Sequence, residues 1–175
     1  MLIFLIGYMG CGKSTIGRKL SSRLGCDLVD TDHIIEERAG TTIADIFATK
    51  GEEHFRMLER ETLDELIAQN RTCIVSTGGG LPMWGDNMEV MNGAGCTVYI
   101  RRTAENIASR LSPRGREKRP KLRGLNDEEL VAFMSKNIAE RDGVYSKATY
   151  VLEAVPMCDR DILDAIISYS GLESR

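Results

Sequence analysis

A short apolar run that leads at once into a glycine-rich turn limits this chain more than any other feature. "LIFLI" (2–6) runs into "GYMGCGKST" (7–15). The second stretch matches G-x-x-x-x-G-K-[ST], a loop whose backbone amides cradle phosphates. Its setting agrees with the pattern. The bulky run before it suits a strand buried on both faces, and Ile16, Leu20 and Leu24 follow at helical spacing. Gly7, Gly10 and Gly12 let the backbone curl so that its N–H groups face one point, and a helix from Lys13 aims its positive end there. Lys13 is expected to reach the β- and γ-phosphates of a nucleoside triphosphate, with the Ser14 hydroxyl on Mg2+. Cys11 lies inside the loop, where a helix N-terminus can lower a thiol pKa. The plainer reading of Cys11 is a small residue chosen for fit. The loop does not say where the terminal phosphate goes: water, a protein and a small molecule are all acceptors it would serve.

Strands and helices alternate along the remaining chain. "CDLVD" (26–30), "CIVS" (73–76), "TVYI" (97–100) and, more weakly, "TYVLE" (149–153) read as short strands. Helical spacing covers 13–24, a region from about His33 punctuated by Gly40, the segment "TIADIFATK", and 52–69, where Phe55, Leu58, Leu63, Leu66 and Ile67 form one side. Further helices are expected over 103–111, 126–142 and 159–169. The fold class is therefore α/β, a largely parallel sheet with helices on both faces, in one domain over 1–175. The exception is "RLSPRGREKRPKLRG" (110–124), rich in Arg, Lys, Pro and Gly, which reads as a long mobile loop.

Composition excludes several classes. A net charge of −3 does not suit a chain built to coat nucleic acid. No apolar run approaches the ~18–20 residues of a membrane span, and the opening run is too short for a signal peptide. Five cysteines with no C-x-x-C pair argue against a disulfide framework or a structural zinc site, and for a reducing, cytoplasmic setting. With only His33 and His54 present, histidine-based nucleophilic chemistry has little to draw on.

The acceptor is addressed by four further features. Asp30-Thr31-Asp32 follows the second strand; if extended, it points both carboxylates at one place at the carboxyl end of the sheet. One would hold Mg2+ or its waters and the other would accept a hydroxyl proton or orient that hydroxyl for in-line attack; alternatively Asp32 is the N-cap of the helix from His33. "STGGG" (76–80) follows another strand, and three bare residues let backbone touch a ligand. Arg56 and Glu59 share a helix face, either as a surface pair or with Glu59 holding Arg56 for a substrate carboxylate. The basic segment 110–124 reads as a lid over polyphosphate; it carries no aromatic residue for base stacking.

Taken together, "GYMGCGKSTIGRKL", "DTD", "IADIFATKGEEHFRMLE", "TGGG" and Arg119-Pro120-x-Leu122 resemble shikimate kinase, in order over roughly 2–170. The resemblance implies a three-layer P-loop fold with a five-stranded parallel sheet. It also implies ATP- and Mg2+-dependent phosphorylation of the shikimate 3-hydroxyl, in the pathway through chorismate to aromatic amino acids. By resemblance, Gly10, Cys11, Gly12, Lys13, Ser14 and Thr15 bind nucleotide, Arg110 stacks on adenine, and Arg119 touches both ATP and substrate. Ser14 and Asp30 lie at the metal. Asp32 binds the shikimate hydroxyls, Gly78, Gly79 and Gly80 line that pocket, and Arg56, supported by Glu59, and Arg141, four before Tyr145, clamp the carboxylate. Lys13, Asp32 and Arg119 are the expected catalytic residues. ATP and shikimate are then the partners of a cytoplasmic monomer, with neither nucleic acid nor membrane. A related kinase of gluconate or another polyol acid would keep the loop and lid without requiring Asp32, Arg56 and Gly79.

Overall fold

The computed structural model describes residues 1–117 and 119–171, so that Lys118 of the basic segment and 172–175 lie outside the described residues. Strands β1 (Leu2–Ile6), β2 (Asp27–Asp30), β3 (Cys73–Ser76), β4 (Gly95–Arg101) and β5 (Tyr150–Glu153) form one sheet in the order β2-β3-β1-β4-β5. All four pairings are parallel. The helices between them are α1 (Lys13–Leu24), α2 (Thr31–Ala39), α3 (Ile43–Ala68), α4 (Asn87–Ala94), α5 (Ala104–Arg110), α6 (Pro113–Glu117), α7 (Asp127–Tyr145) and α8 (Asp159–Ser170).

The central strand shows why the apolar run is continuous. Ile3 and Leu5 pack with Ile16 and Leu20 of α1 and Ile162 and Ile166 of α8 on one face. Leu2, Phe4 and Ile6 pack with Leu63 and Leu66 of α3 and Met88 and Met91 of α4 on the other. Each such side chain contributes roughly 1.5–3 kcal/mol on burial. A third, smaller cluster of Ile35, Ile46 and Phe55 joins α2 to the start of α3. Between β3 and the β4 residue Gly95, where no periodic signal marks an element, the chain forms a 3-10 turn (Leu81–Met83) and α4.

Two local outcomes differ from the sequence expectations. Asp30-Thr31-Asp32 is not extended: Asp30 is the N-cap of α2, accepting from the Asp32 amide at 3.2 Å, so Asp32 lies in the first turn and is not itself the cap. The segment 110–124 is not a featureless loop. It holds α6 and a 3-10 turn at Pro120–Leu122, with Leu122 buried in the main core, Arg116 on Asp127 at 2.6 Å and Arg123 on the Glu117 carbonyl at 2.7 Å.

Gly95 pairs with Leu2 in the sheet, and a β-carbon added there would collide with the Leu2 carbonyl. A backbone atom cannot swing aside, so Gly95→Ala is expected to destabilise the fold by about 1–3 kcal/mol. Urea denaturation checks this; an unchanged midpoint would contradict it.

Candidate active site

Ligands of open α/β sheets bind beyond the carboxyl ends of the strands, where successive crossovers leave in opposite directions. Here that point lies beyond β1, between β3 and β4. Gly7, Gly10 and Gly12 all adopt positive φ (141°, 81° and 107°), which curls the chain between β1 and α1 into the loop the motif predicts. Lys13 is buried, and its ammonium donates to the Gly7 carbonyl at 2.8 Å and the Tyr8 carbonyl at 3.2 Å. Cys11 points inward beneath the loop, wholly buried, with its Sγ 3.9 Å from the Lys13 ammonium, so only its backbone belongs to the loop surface.

A cavity of about 410 Å3 opens over this loop. Among its walls are Gly10, Gly12, Lys13, Ser14, Thr15, Asp30, Asp32, Gly79, Arg110 and Arg119. Ten of the expected site residues thus face one space. The Ser14 hydroxyl donates to Asp30 Oδ2 at 3.0 Å and lies 3.2 Å from the Ser76 hydroxyl. No cluster of three or more His, Cys, Asp or Glu with metal-binding geometry is present among the described residues. Two protein oxygens beside a phosphate loop suit Mg2+, which keeps most of its water and completes its octahedron with phosphate oxygens.

The remaining expected residues meet at the glycine triplet. A β-carbon on Gly78 would lie 2.5 Å from Asp32 Oδ1 and 2.8 Å from Glu59 Oε1, and one on Gly80 would collide with the Arg56 guanidinium. Arg141 donates to the Gly79 carbonyl at 3.2 Å. Bare backbone is therefore required at Gly78 and Gly80, where α2 and α3 deliver charged side chains, whereas a β-carbon on Gly79 would meet Arg141 of α7 at an ordinary 3.5 Å. The Gly78 amide is bonded to Thr31 Oγ1 at 2.9 Å, so this N–H anchors the triplet to α2.

Arg56 and Glu59 are not a surface pair. Glu59 is 1% exposed, its Oε2 accepts from Arg56 Nη1 at 2.5 Å, and Glu52 takes Nη2 at 3.0 Å. Glu59 Oε1 is buried with no hydrogen-bond partner. Burial pushes the Glu59 carboxyl up to about 7; Arg56 opposes the shift, and Asp32 and Glu52 add to it. Burial likewise pushes Asp32 up to about 6, with Asp30 and Glu36 raising it and Lys13 and Arg56 holding it down. Arg141 is different. The adjacent Asp142 turns away to Arg101, with bonds of 3.1 and 3.0 Å, and to the Tyr99 hydroxyl at 3.0 Å. Arg141 has no carboxylate in ion-pair contact among the described residues, only the Gly79 carbonyl, the Tyr145 hydroxyl at 3.4 Å and the ring of Tyr8.

Arg110 closes α5, and Arg119 donates to the Gly115 carbonyl at 2.5 Å. One supporting residue escaped the sequence reading. Arg102 is 5% exposed and ties the Cys11 carbonyl (3.0 Å) to the Ala154 carbonyl (2.9 Å) and Asn106 (3.0 Å). The available signal was a second arginine directly after a buried strand, at the end where ligands bind.

A phosphate loop at the switch point of a parallel sheet, a cavity above it and charged side chains on the far rim define a P-loop kinase. The shikimate kinase family model matches residues 9–169. A shikimate kinase of Parabacteroides distasonis is 42% identical over 155 residues, spanning 89% of this chain and 88% of the relative. The crystal structure of the shikimate kinase of Bacteroides thetaiotaomicron superimposes with a TM-score of 0.85 at 36% identity, covering 96% and 94% of the two chains. That of the Acinetobacter baumannii shikimate kinase in complex with shikimate gives 0.80 at 35% identity, covering 95% and 90%. The chain belongs to the shikimate kinase family.

A carboxyl whose pKa is higher folded than unfolded stabilises the fold below its unfolded pKa, and that contribution is lost as pH rises through the folded value. Glu59 therefore weighs against the fold at alkaline pH and not at pH 5. Glu59→Gln is expected to raise Tm by about 2–4 °C at pH 8 and little at pH 5. Equal shifts at both pH values in a thermal melt would contradict the assignment.

Proposed function

We propose that this chain, acting as a single domain, transfers the γ-phosphoryl group of ATP to the 3-hydroxyl of shikimate. The observation that carries the reading is the convergence of Asp32, Arg56 and Arg141 on Gly78–Gly80, on the rim of the phosphate-loop cavity. Shikimate is a small carboxylate with several hydroxyls. Arg141, free of any carboxylate contact among the described residues, and Arg56, held rigid by Glu59, receive its carboxylate from two helices. Asp32 accepts a hydroxyl proton in a hydrogen bond and so fixes which alcohol faces the nucleotide. Its partial burial suits this orienting role, because a loose phosphoryl-transfer transition state asks for little deprotonation.

The nucleotide side is supplied by the loop amides of Gly10–Thr15, by Lys13 and by Arg110 and Arg119 on the cavity wall. Ser14 and Asp30 would hold Mg2+, which when bound neutralises charge on the phosphates. Lys13 and Arg119 bring positive charge to the transferring group, and the folded basic segment excludes water, the competing acceptor. The same reading includes a monomeric, cytoplasmic enzyme with no nucleic-acid partner; the net charge of −3 supports the last point. No helix among the described residues is long and apolar enough to cross a membrane.

A coupled ADP-release assay with shikimate and gluconate side by side tests the proposal: turnover of shikimate is expected, and turnover of gluconate alone would overturn it. Arg56→Ala is expected to raise KM for shikimate roughly 10- to 100-fold with KM for ATP nearly unchanged. Lys13→Ala is expected to lower kcat by about 100-fold or more, and near-normal turnover would remove Lys13 from the reaction.

A further inference from the structure

Tyr8 is a phosphate-loop residue whose side chain has no part in the chemistry assigned so far. It is 2% exposed, packed in the main core, and its hydroxyl is buried with no hydrogen-bond partner. An unsatisfied buried hydroxyl opposes folding, so the hydroxyl does not account for an aromatic residue here. The ring does have a function in the geometry: the Arg141 guanidinium lies over it, 5.5 Å from the centroid, inside the range of a cation–π contact.

Arg141 needs such a platform. Its two hydrogen bonds, at 3.2 and 3.4 Å, both leave from Nη1, so the fork is held at one end. A ring face beneath the guanidinium fixes its plane. Among the described residues no carboxylate fills this role, since Asp142 is taken by Arg101, and a carboxylate on Arg141 would compete with an anionic ligand. A ring attracts the cation without filling its hydrogen-bonding edge.

We propose that Tyr8 is a positioning residue for the acceptor site, its ring holding Arg141 in the orientation that receives the acceptor carboxylate. The inference rests on the shikimate reading and goes beyond it in where Tyr8 sits. The Tyr8 carbonyl accepts from the Lys13 ammonium and from the Cys11 amide, both at 3.2 Å, so the platform is part of the phosphate loop itself. A residue of the nucleotide loop thereby governs affinity for the other substrate.

The test is a double-mutant cycle read by calorimetric titration of shikimate into the ADP-bound protein, with steady-state KM values alongside. Tyr8→Leu is expected to weaken shikimate about tenfold, while KM for ATP stays within about twofold. Tyr8→Phe keeps the face and is expected to restore shikimate affinity to within about twofold of the parent. On an Arg141→Ala background, Tyr8→Leu is expected to cost nothing further, because the platform has lost what it supports. Tyr8→Met serves in place of Tyr8→Leu if that variant does not fold. An unchanged shikimate affinity in Tyr8→Leu, an equal loss for ATP and shikimate, or a full cost on the Arg141→Ala background would each overturn the proposal. Absence of shikimate binding by the parent protein is a separate outcome, and sinks the reading on which the inference stands.

Discussion

The site depends on one close approach: three helices press charged side chains against a stretch of backbone that has no side chains of its own. Gly78–Gly80 touches Asp32 and Thr31 from α2, Arg56 and Glu59 from α3 and Arg141 from α7. The first glycine is bonded to a hydroxyl, the second offers its carbonyl to arginine and tyrosine, and the third leaves room for a guanidinium. Any β-carbon at the first or third position meets a charged group at less than van der Waals distance. The packing of α2 and α3 onto the sheet and the assembly of the proposed acceptor pocket are therefore the same event.

The electrostatics follow from that crowding. Asp32 and Glu59 are driven upward in pKa by burial, and each raises or is raised by neighbouring acids. Arg56 compensates them both. The result is an arrangement that opposes folding more than an apolar packing of similar volume would. Arg141 is handled by a different rule, because aromatic and carbonyl groups surround it in place of acids. The two arginines thus differ in state, one already neutralised and one not, and in the proposed function one carboxylate would meet both.

Much of this was legible in the residues. The strand–loop–helix motif, the alternation of elements and the sheet class follow from periodicity and glycine placement, and β3 and α1 begin and end where the pattern puts them. All five strands were readable, β5 only weakly, and the family resemblance supplied the roles of Arg110, Arg119 and Arg141. What could not be read were interactions set by tertiary contact. That Asp30 and not Asp32 caps α2 depends on where the helix begins, a matter of a residue or two. The basic segment looked unstructured because its Pro and Gly content hides Leu122, whose burial anchors it. Arg102 and Tyr8 act through partners remote in sequence, and no local pattern announces a guanidinium stacked on a ring.

The separation of the small cluster around Ile35, Ile46 and Phe55 from the two that line the sheet has a dynamic consequence. Gly51 interrupts α3 with φ 83° and ψ 173°, and Gly40 ends α2 in the left-handed region, so the chain between them is bounded by two backbone breaks. Within that stretch Ile46 is the buried side chain, packed with Ile35 and Phe55 from outside it, and Phe47 meets the Phe55 ring with centroids 4.8 Å apart. A stretch with one buried side chain between two backbone breaks is of the kind that opens locally before central strands do, and it joins the helix bearing Asp32 to the helix turn bearing Arg56.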